Sequence, residues 1–516
     1  MAAIFCRWLG CLKFGWLPCL LGLAIFSDFV KAQEPPARVR PQAPELDGGT
    51  DWFNTAKPLK LKDLRGKVIL LDFWTLCCIN CIHTLPDLAK LEAKYPKELV
   101  VIGVHSPKFD NEKSSESIRK ALARYEVRHP VINDAERKIW DAFQVDAWPT
   151  LILIDHEGKY VARGSGEGLY DAVDAAVTAL TKAARDKKAL DERPFDYRPD
   201  AETSASPLRF PGKVISDPKT GIMFVADSTN HRVFAADPDG KVLWIAGNGK
   251  PGDADGALDA ARFNDPQGMA VVGTKLFVAD RKNHKIKSID LAAKTVNTVA
   301  GIGVQGRQDR LGGGPAIKTG LNSPWDLWPA GDKLFVAMAG FHQIWEMDLT
   351  AGTIKAFAGN GRETLTDGPL PQSCFAQPSG LSSDGKTLFV ADSETSSVRS
   401  VDMNPNGKVS TLVGTHLFRF GDKDGVGDDA LLQHALGVAW SGKQLFVADT
   451  YNGKIKVIDP ATRKCETFLA GFSEPGGIWY SDGKLLVANT NAHEIVEVTI
   501  GTKAKKVIRF QGLSRP

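Results

Sequence analysis

At 516 residues the chain is longer than a single hydrophobic core usually serves, which predicts two or three domains. A hydrophobic fraction of 43%, a charged fraction of 24% and a formal charge of +3 exclude a disordered chain and a nucleic-acid coat, and they name no partner by charge. Glycine and proline (49 and 29 residues) gather after residue 205, which predicts a turn-rich, β-structured second half.

In chain order, residues 1–32 read as a secretory signal peptide. Arg7 and Lys13 precede an apolar run from Phe14 to Phe26, and Val30-Lys31-Ala32 carries small residues at the two positions a signal peptidase reads. The run is shorter than the roughly 20 residues a membrane-spanning helix needs. A cleaved signal and export to the periplasm or another extracytoplasmic compartment are expected, with an uncleaved anchor as the alternative and no stable membrane span after cleavage. Cys6, Cys11 and Cys19 would leave with the signal. Of the other five cysteines, Cys77, Cys78 and Cys81 lie within five residues while Cys374 and Cys465 are solitary, a distribution that suits catalysis better than a disulfide scaffold.

Residues 33–44 form a Pro-rich linker to a domain over 45–190. Val68-Ile69-Leu70-Leu71-Asp72-Phe73-Trp74 is an almost uninterrupted apolar strand, as in a sheet buried on both faces. The cysteines follow directly. A helix over 82–95, a strand over 99–104, a helix over 115–125, a short strand at 131–132 and a helix over 135–143 come next. Segments 151–155 and 160–163 read as a hairpin, and 171–187 as a last helix. Strands alternating with helices predict a largely parallel sheet.

Cys78-Ile79-Asn80-Cys81 has the spacing of a redox pair. Zinc is the plainer reading of any such pair, yet no second cysteine pair lies at a suitable spacing, so no metal and no cofactor are expected. The segment from Asp72 to Cys81 resembles the strand-to-helix segment of thioredoxin-like proteins, particularly their membrane-tethered and periplasmic reductases, and Trp148-Pro149-Thr150 resembles their cis-proline loop. A cysteine at a helix N-terminus faces unpaired N–H groups and the positive end of the dipole, which lowers its pKa. Cys78 would be that nucleophile, and Cys81, one turn on, would resolve a mixed disulfide. The resemblance implies that Asp72 is the buried carboxylate that takes the proton of the resolving cysteine, and that Pro149 is a cis residue presenting backbone to a substrate strand. The plainer readings are an Asp72 that caps a local turn and a trans Pro149. Cys77 stands where thioredoxins commonly carry Trp and is a secondary redox candidate. Ile79-Asn80 replaces their Gly-Pro, so the direction of electron flow stays open. Thr75-x-x-Cys78 also fits a thiol peroxidase, although the upstream proline of that family is replaced by Leu71.

A second linker, 191–206, leads to a segment over 207–516 in which one strand recurs six times: Met223 to Asp227, Leu276 to Asp280, Leu334 to Met338, Leu388 to Asp392, Leu445 to Asp449 and Leu485 to Asn489. Repeats of this length, with about four strands each, predict the blades of a six-bladed propeller. Pro266-Gln267-Gly268-Met269 and Pro378-Ser379-Gly380-Leu381 resemble the opening of NHL repeats. The Asp ending each repeated strand is expected to accept N–H bonds from the following turn, a structural role. Met338 and Asn489 replace it in blades three and six, whose turns are expected to differ in shape. His231, His284, His342 and His493 fall in those turns and off the inner strands, which argues against a metal-dependent lyase. The run from Asp422 to Asp428 is calcium-like, but Gln433 stands where a twelfth-position acid belongs. Long segments over 247–261, 301–320 and 414–430 elaborate one face, the usual place for recognition. A protein, peptide or glycan ligand is expected there, and no nucleic acid.

The domain order resembles the thioredoxin-plus-NHL family of NHL-repeat-containing proteins. The expected fold class is an α/β thioredoxin-like domain followed by an all-β six-bladed NHL-type propeller. The function that follows is an exported thiol-disulfide oxidoreductase acting on protein thiols and disulfides through Cys78 and Cys81, with the propeller as a partner- or substrate-binding platform. The alternatives are a non-enzymatic binding scaffold with a structural thioredoxin domain, and a thiol peroxidase using Cys78.

Overall fold

A computed structural model describes residues 40–200, 204–307 and 312–516, so the signal segment, residues 1–32, lies outside the described residues. The first domain is built on six strands: β1 (Asp51–Phe53), β2 (Val68–Trp74), β3 (Leu99–His105), β4 (Val131–Asn133), β5 (Thr150–Ile154) and β6 (Tyr160–Ser165), in the order β1-β4-β3-β2-β5-β6. β2, β3 and β4 are parallel, the β5–β6 hairpin lies antiparallel beside β2, and β1 forms an antiparallel edge on β4. Every residue of β2 and β3 is buried, which is why their sequences show no alternation. Alternate side chains feed two cores. Leu70 and Val101 meet the helices α1 (Ile79–Lys94) and α2 (Ser115–Tyr125), while Ile69, Leu71 and Phe73 meet α3 (Lys138–Ala142). A fourth helix, α4 (Tyr170–Asp186), buries Val173 and Val177 in the first core.

Two boundaries differ from expectation for local reasons. α1 starts at Ile79 because Cys78 is itself the N-cap. α3 starts at Lys138, since Arg137 takes a left-handed backbone (φ 55°) and Asp134 accepts the Ile139 and Trp140 N–H groups at 3.0 and 2.9 Å. The described parts of both linkers contact the domain. Ala43 N bonds Gly158 O (3.0 Å), so the domain reaches back into the Pro-rich segment, and Arg198 N bonds Asn54 O (3.1 Å).

The second domain is a propeller of six antiparallel sheets. Blades one and six have four strands, and blades two to five gain a short outer strand from the preceding inter-blade segment. The C-terminal tail closes the ring on blade one, where Val242 N bonds Gln511 O (3.0 Å) and Arg232 Nη1 bonds Ser514 O (2.9 Å). The glycine in the opening of each NHL repeat answers to crowding between neighbouring inner strands. A Cβ on Gly380 would stand 2.5 Å from Leu436 O, and one on Gly437 would stand 2.6 Å from Gly476 O. Blades one and three carry Lys213 and Asp326 at this position instead. The two side chains meet in a buried ion pair at 2.5 Å, and Asp326 also accepts the Leu381 N–H (2.9 Å).

The residues ending the repeated strands are structural: the following turn donates to the Asp residues through side chains (Asn230, Asn283, Thr395 and Asn452), and the backbone N–H groups they accept come from behind. Asp227, Asp280, Asp392, Asp449 and Asn489 accept N–H from Arg209, Asn264, Ala376, Gln433 and Ser473 in the loops leading into their blades (2.7–2.8 Å). Met338 accepts from Asn322 N through sulfur at 3.4 Å. The turns of blades three and six do not differ in shape: all six are 3-10 turns ending in a left-handed residue. Four of those residues are His231, His284, His342 and His493. Each takes through Nδ1 the N–H of the residue opening the next blade, at 3.0–3.2 Å. The histidines therefore latch blade to blade. In the calcium-like run, Lys456 Nζ occupies the carboxylates of Asp422 and Asp424 at 3.0 and 2.8 Å.

Candidate redox site at the domain junction

From the end of β2, Thr75, Leu76 and Cys77 cross the top of the sheet under the control of Glu112. This fully buried carboxylate accepts Thr75 Oγ1 (2.6 Å), Cys77 N (3.0 Å), Lys108 N (2.8 Å) and Phe109 N (3.0 Å). Leu76 N donates to His105 Nε2 (3.2 Å). The Thr75 hydroxyl is thus directed to Glu112 and not to Cys78, which removes the contact on which the peroxidase reading stood.

Cys78 caps α1 with an extended backbone (φ −74°, ψ 115°), and its Sγ accepts the Cys81 N–H at 3.2 Å. Both are free thiols. The half-buried Cys78 does not have the lowered pKa expected from its helix terminus. Burial raises it, the nearby Glu363 and Glu394 carboxylates add to this, and the bonds from Cys81 only partly offset them. Cys81 is fully buried, and its thiol is held well above the ordinary range by burial, by Cys78 and by the Asp72 carboxylate. Cys77 is raised well above the ordinary range by burial and by Glu112 and Glu394, which favours its protonated form.

Asp72 lies on β2 in register with Gly103 and Leu151, fully buried. Neither carboxylate oxygen has a hydrogen-bond partner, so it caps no turn. Burial pushes its pKa up to about 7. The Trp148–Pro149 peptide is cis, and Pro149 leads into β5, whose Thr150 pairs with Phe73 near the end of β2. The Pro149 carbonyl accepts Gly166 N (2.9 Å).

The propeller covers this motif. Gln377 Oε1 accepts the Ile79 N–H (2.8 Å) and Gln377 Nε2 donates to Cys77 O (3.0 Å). It belongs to a ring of six residues, Phe210, Asp265, Ser323, Gln377, His434 and Glu474, each with a left-handed backbone just before its inner strand. Five of them touch the first domain. Ser323 Oγ meets His83 Nε2 (2.6 Å), the His434 and Phe109 rings lie 5.3 Å apart, Glu474 pairs with Arg124 (2.7 Å), and the same guanidinium lies over Phe210. Lys108 and Glu394 form a buried ion pair across the junction, and Gln305 Nε2 bonds Glu167 Oε2 (2.6 Å). The face that the sequence marks for a protein, peptide or glycan ligand thus carries the chain's own thioredoxin-like domain. A cavity of about 890 Å³ remains beside α1, walled by Leu85, Pro86, Glu92, His129, Tyr197 and Lys282.

Sequence reasoning missed Glu112, Lys108, His83 and the propeller residues Gln377, Glu394 and Glu474. The alignment of the blades marks the ring positions as equivalent, but no local pattern says which domain they face.

A family model described as thioredoxin-like matches residues 66–160. With the sheet order, the capped Cys78 and the six blades, it defines the class as a thioredoxin-like domain seated on an NHL propeller. The chain is 41% identical over 518 residues to human NHL repeat-containing protein 2, spanning 90% of this chain and 71% of that protein. It is 42% identical over 501 residues to the Arabidopsis thaliana Protein SUPPRESSOR OF QUENCHING 1, chloroplastic, spanning 90% of this chain and 47% of that protein. The first domain alone is 26% identical over 132 residues to Thiol-disulfide oxidoreductase YkuV of Bacillus subtilis, spanning 25% of this chain and 88% of that protein. The chain belongs to the family of NHL repeat-containing protein 2.

Proposed function

We propose that the chain is a thiol-disulfide oxidoreductase in which Cys78 attacks, Cys81 resolves and Asp72 takes the Cys81 proton. The reading rests on one observation: Cys78 caps α1, Cys81 stands one turn on, and Asp72 lies buried without a partner on the strand below. The likeness of the first domain to a Bacillus thiol-disulfide oxidoreductase supports it. Protein substrates would meet the dithiol along the domain seam. There Ile302 and Val304, 49% and 61% exposed, stand on the loop whose Gln305 bonds Glu167. Residues 1–32 would direct the chain to an extracytoplasmic compartment, where its mature N-terminus would be Gln33.

The burial of Cys78 favours a second reading, a binding scaffold whose thioredoxin-like domain is structural. One experiment separates them. Full-length Cys77→Ser/Cys81→Ser, which lacks both neighbouring thiols, is incubated with oxidised protein and run on a non-reducing gel. A mixed disulfide that vanishes when Cys78 is also Ala is the expected result. No adduct, together with no disulfide reduction by the unmodified chain, establishes the scaffold.

A further inference from the structure

The oxidoreductase reading leaves one requirement unmet: Cys81 and Asp72 are both fully buried, so a proton passed between them needs a way out. We infer that it leaves through His129 and Glu92 into the cavity between the domains, which makes His129 a positioning residue for proton transfer. This inference rests on the reading above and extends it.

Four buried polar atoms without hydrogen-bond partners gather on one side of Gly103: Asp72 Oδ1 and Oδ2, Trp74 Nε1 and His129 Nε2. Asp72 is the register partner of Gly103 on β2, and Trp74, two residues on, shares its side of the strand. A Cβ on Gly103 would stand 3.0 Å from Trp74 Nε1 and 3.5 Å from His129 Nε2. Val131 Cγ2 stands nearer still, at 2.9 Å, so any larger residue here would press on the valine and on the Trp74 and His129 ring nitrogens. Buried polar atoms are nearly always satisfied, and a cluster of exceptions calls for an explanation. Here the exceptions set an acid and a base on the same side of one glycine, near enough for a charge on His129 to act on the Asp72 carboxyl. The opposite ring nitrogen, His129 Nδ1, lies 3.4 Å from Glu92 Oε2, and both residues wall the cavity. The charged and titratable groups around His129 and its cavity are Asp72 from β2, Glu92 and His83 from α1, Tyr125, Glu126, Arg128 and Tyr197 along the same wall, and Arg281, Lys282 and His284 from the propeller.

After Cys78 has attacked a substrate disulfide, the Cys81 S–H proton passes to Asp72 and Cys81 Sγ attacks Cys78 Sγ. The bond between Cys78 and the substrate breaks, the substrate sulfur leaves as a thiolate, and the dithiol ends as a disulfide. The substrate disulfide is reduced by the same two electrons. Asp72 then loses its proton to His129, and Glu92 delivers it to the cavity.

The test is single-turnover reduction of an oxidised model protein by the reduced full-length chain from pH 5.5 to 8.5, with mixed disulfide and released product followed separately. His129→Ala should form the mixed disulfide at the unmodified rate but resolve it about ten-fold or more slowly. Added imidazole should restore resolution. His129→Gln, which fills the site without carrying a proton, should also be slow, and Glu92→Gln should shift the pH profile of resolution. Resolution at the unmodified rate in both His129 variants overturns the relay. So does a slowing that affects both steps equally and ignores imidazole. An unmodified chain that reduces no disulfide, with no adduct on Cys78 when Cys77 and Cys81 are Ser, overturns the oxidoreductase reading itself, and the relay with it.

Discussion

Asp72 is a carboxyl group without a hydrogen bond in the middle of a sheet, and its cost depends on pH. Its pKa of about 7 lies above the ordinary 3.8, so the native chain binds this proton more tightly than the unfolded chain does. Folding stability contributed by this residue therefore falls as pH rises from about 4 through 7. Asp72→Asn should change little at pH 4 and should stabilise the protein at pH 8, by on the order of 4 kcal/mol at most. Urea unfolding of variant and parent at the two pH values measures this. Asp280 and Asp449, also raised to about 7, titrate alike in both proteins and cancel in the difference. A variant less stable than its parent at pH 8 would show that the carboxylate has a partner it needs.

Within the propeller, the blade openings show how a repeated element absorbs an exception. Lys213 and Asp326 replace two glycines and neutralise each other. Lys213→Met leaves a buried carboxylate unpaired and should cost about 3–5 kcal/mol, whereas Lys213→Met with Asp326→Leu should recover most of that. Thermal unfolding of both variants decides it; equal losses would show that packing and not charge governs the site. The elements themselves were legible in the sequence. β2 is uninterrupted because both its faces are covered, α2 has its predicted bounds, and the six repeated strands are six blades. Their bonding was less so. The strand-end Asp reaches back about 16 residues to the loop before its own blade, a tie that turn chemistry does not reveal. β1 is only three residues at a sheet edge, too short to leave a pattern. In the redox site, the motif residues could be read because their chemistry is local. Gln377 is about 300 residues from Cys77 in the chain, and nothing near it in sequence indicates that contact.

At the scale of the whole molecule, the domain junction sets the surroundings of Cys78. The Gln377 amide meets Ile79 N–H and Cys77 O much as a bound peptide would, and the covering domain raises the Cys78 pKa. Gln377→Ala should loosen the junction at a cost of about 1–3 kcal/mol and should speed alkylation of Cys78 severalfold. The alkylation rate against pH, with Cys77 and Cys81 replaced by Ser, checks this. An unchanged rate would mean that the thiol is reached without parting the domains. The ring to which Gln377 belongs has one more consequence. Six blades offer six equivalent backbone seats to a guest that has no sixfold symmetry, so the backbone alone would accept the thioredoxin-like domain in six orientations turned by one blade each. The choice among them is written in side chains: a serine for His83, an amide for the α1 terminus, an imidazole for Phe109, an acid and an aromatic ring for Arg124. The ring works as a keyed socket, in which six different side chains on equivalent backbone turn a rotationally ambiguous surface into one with a single fit.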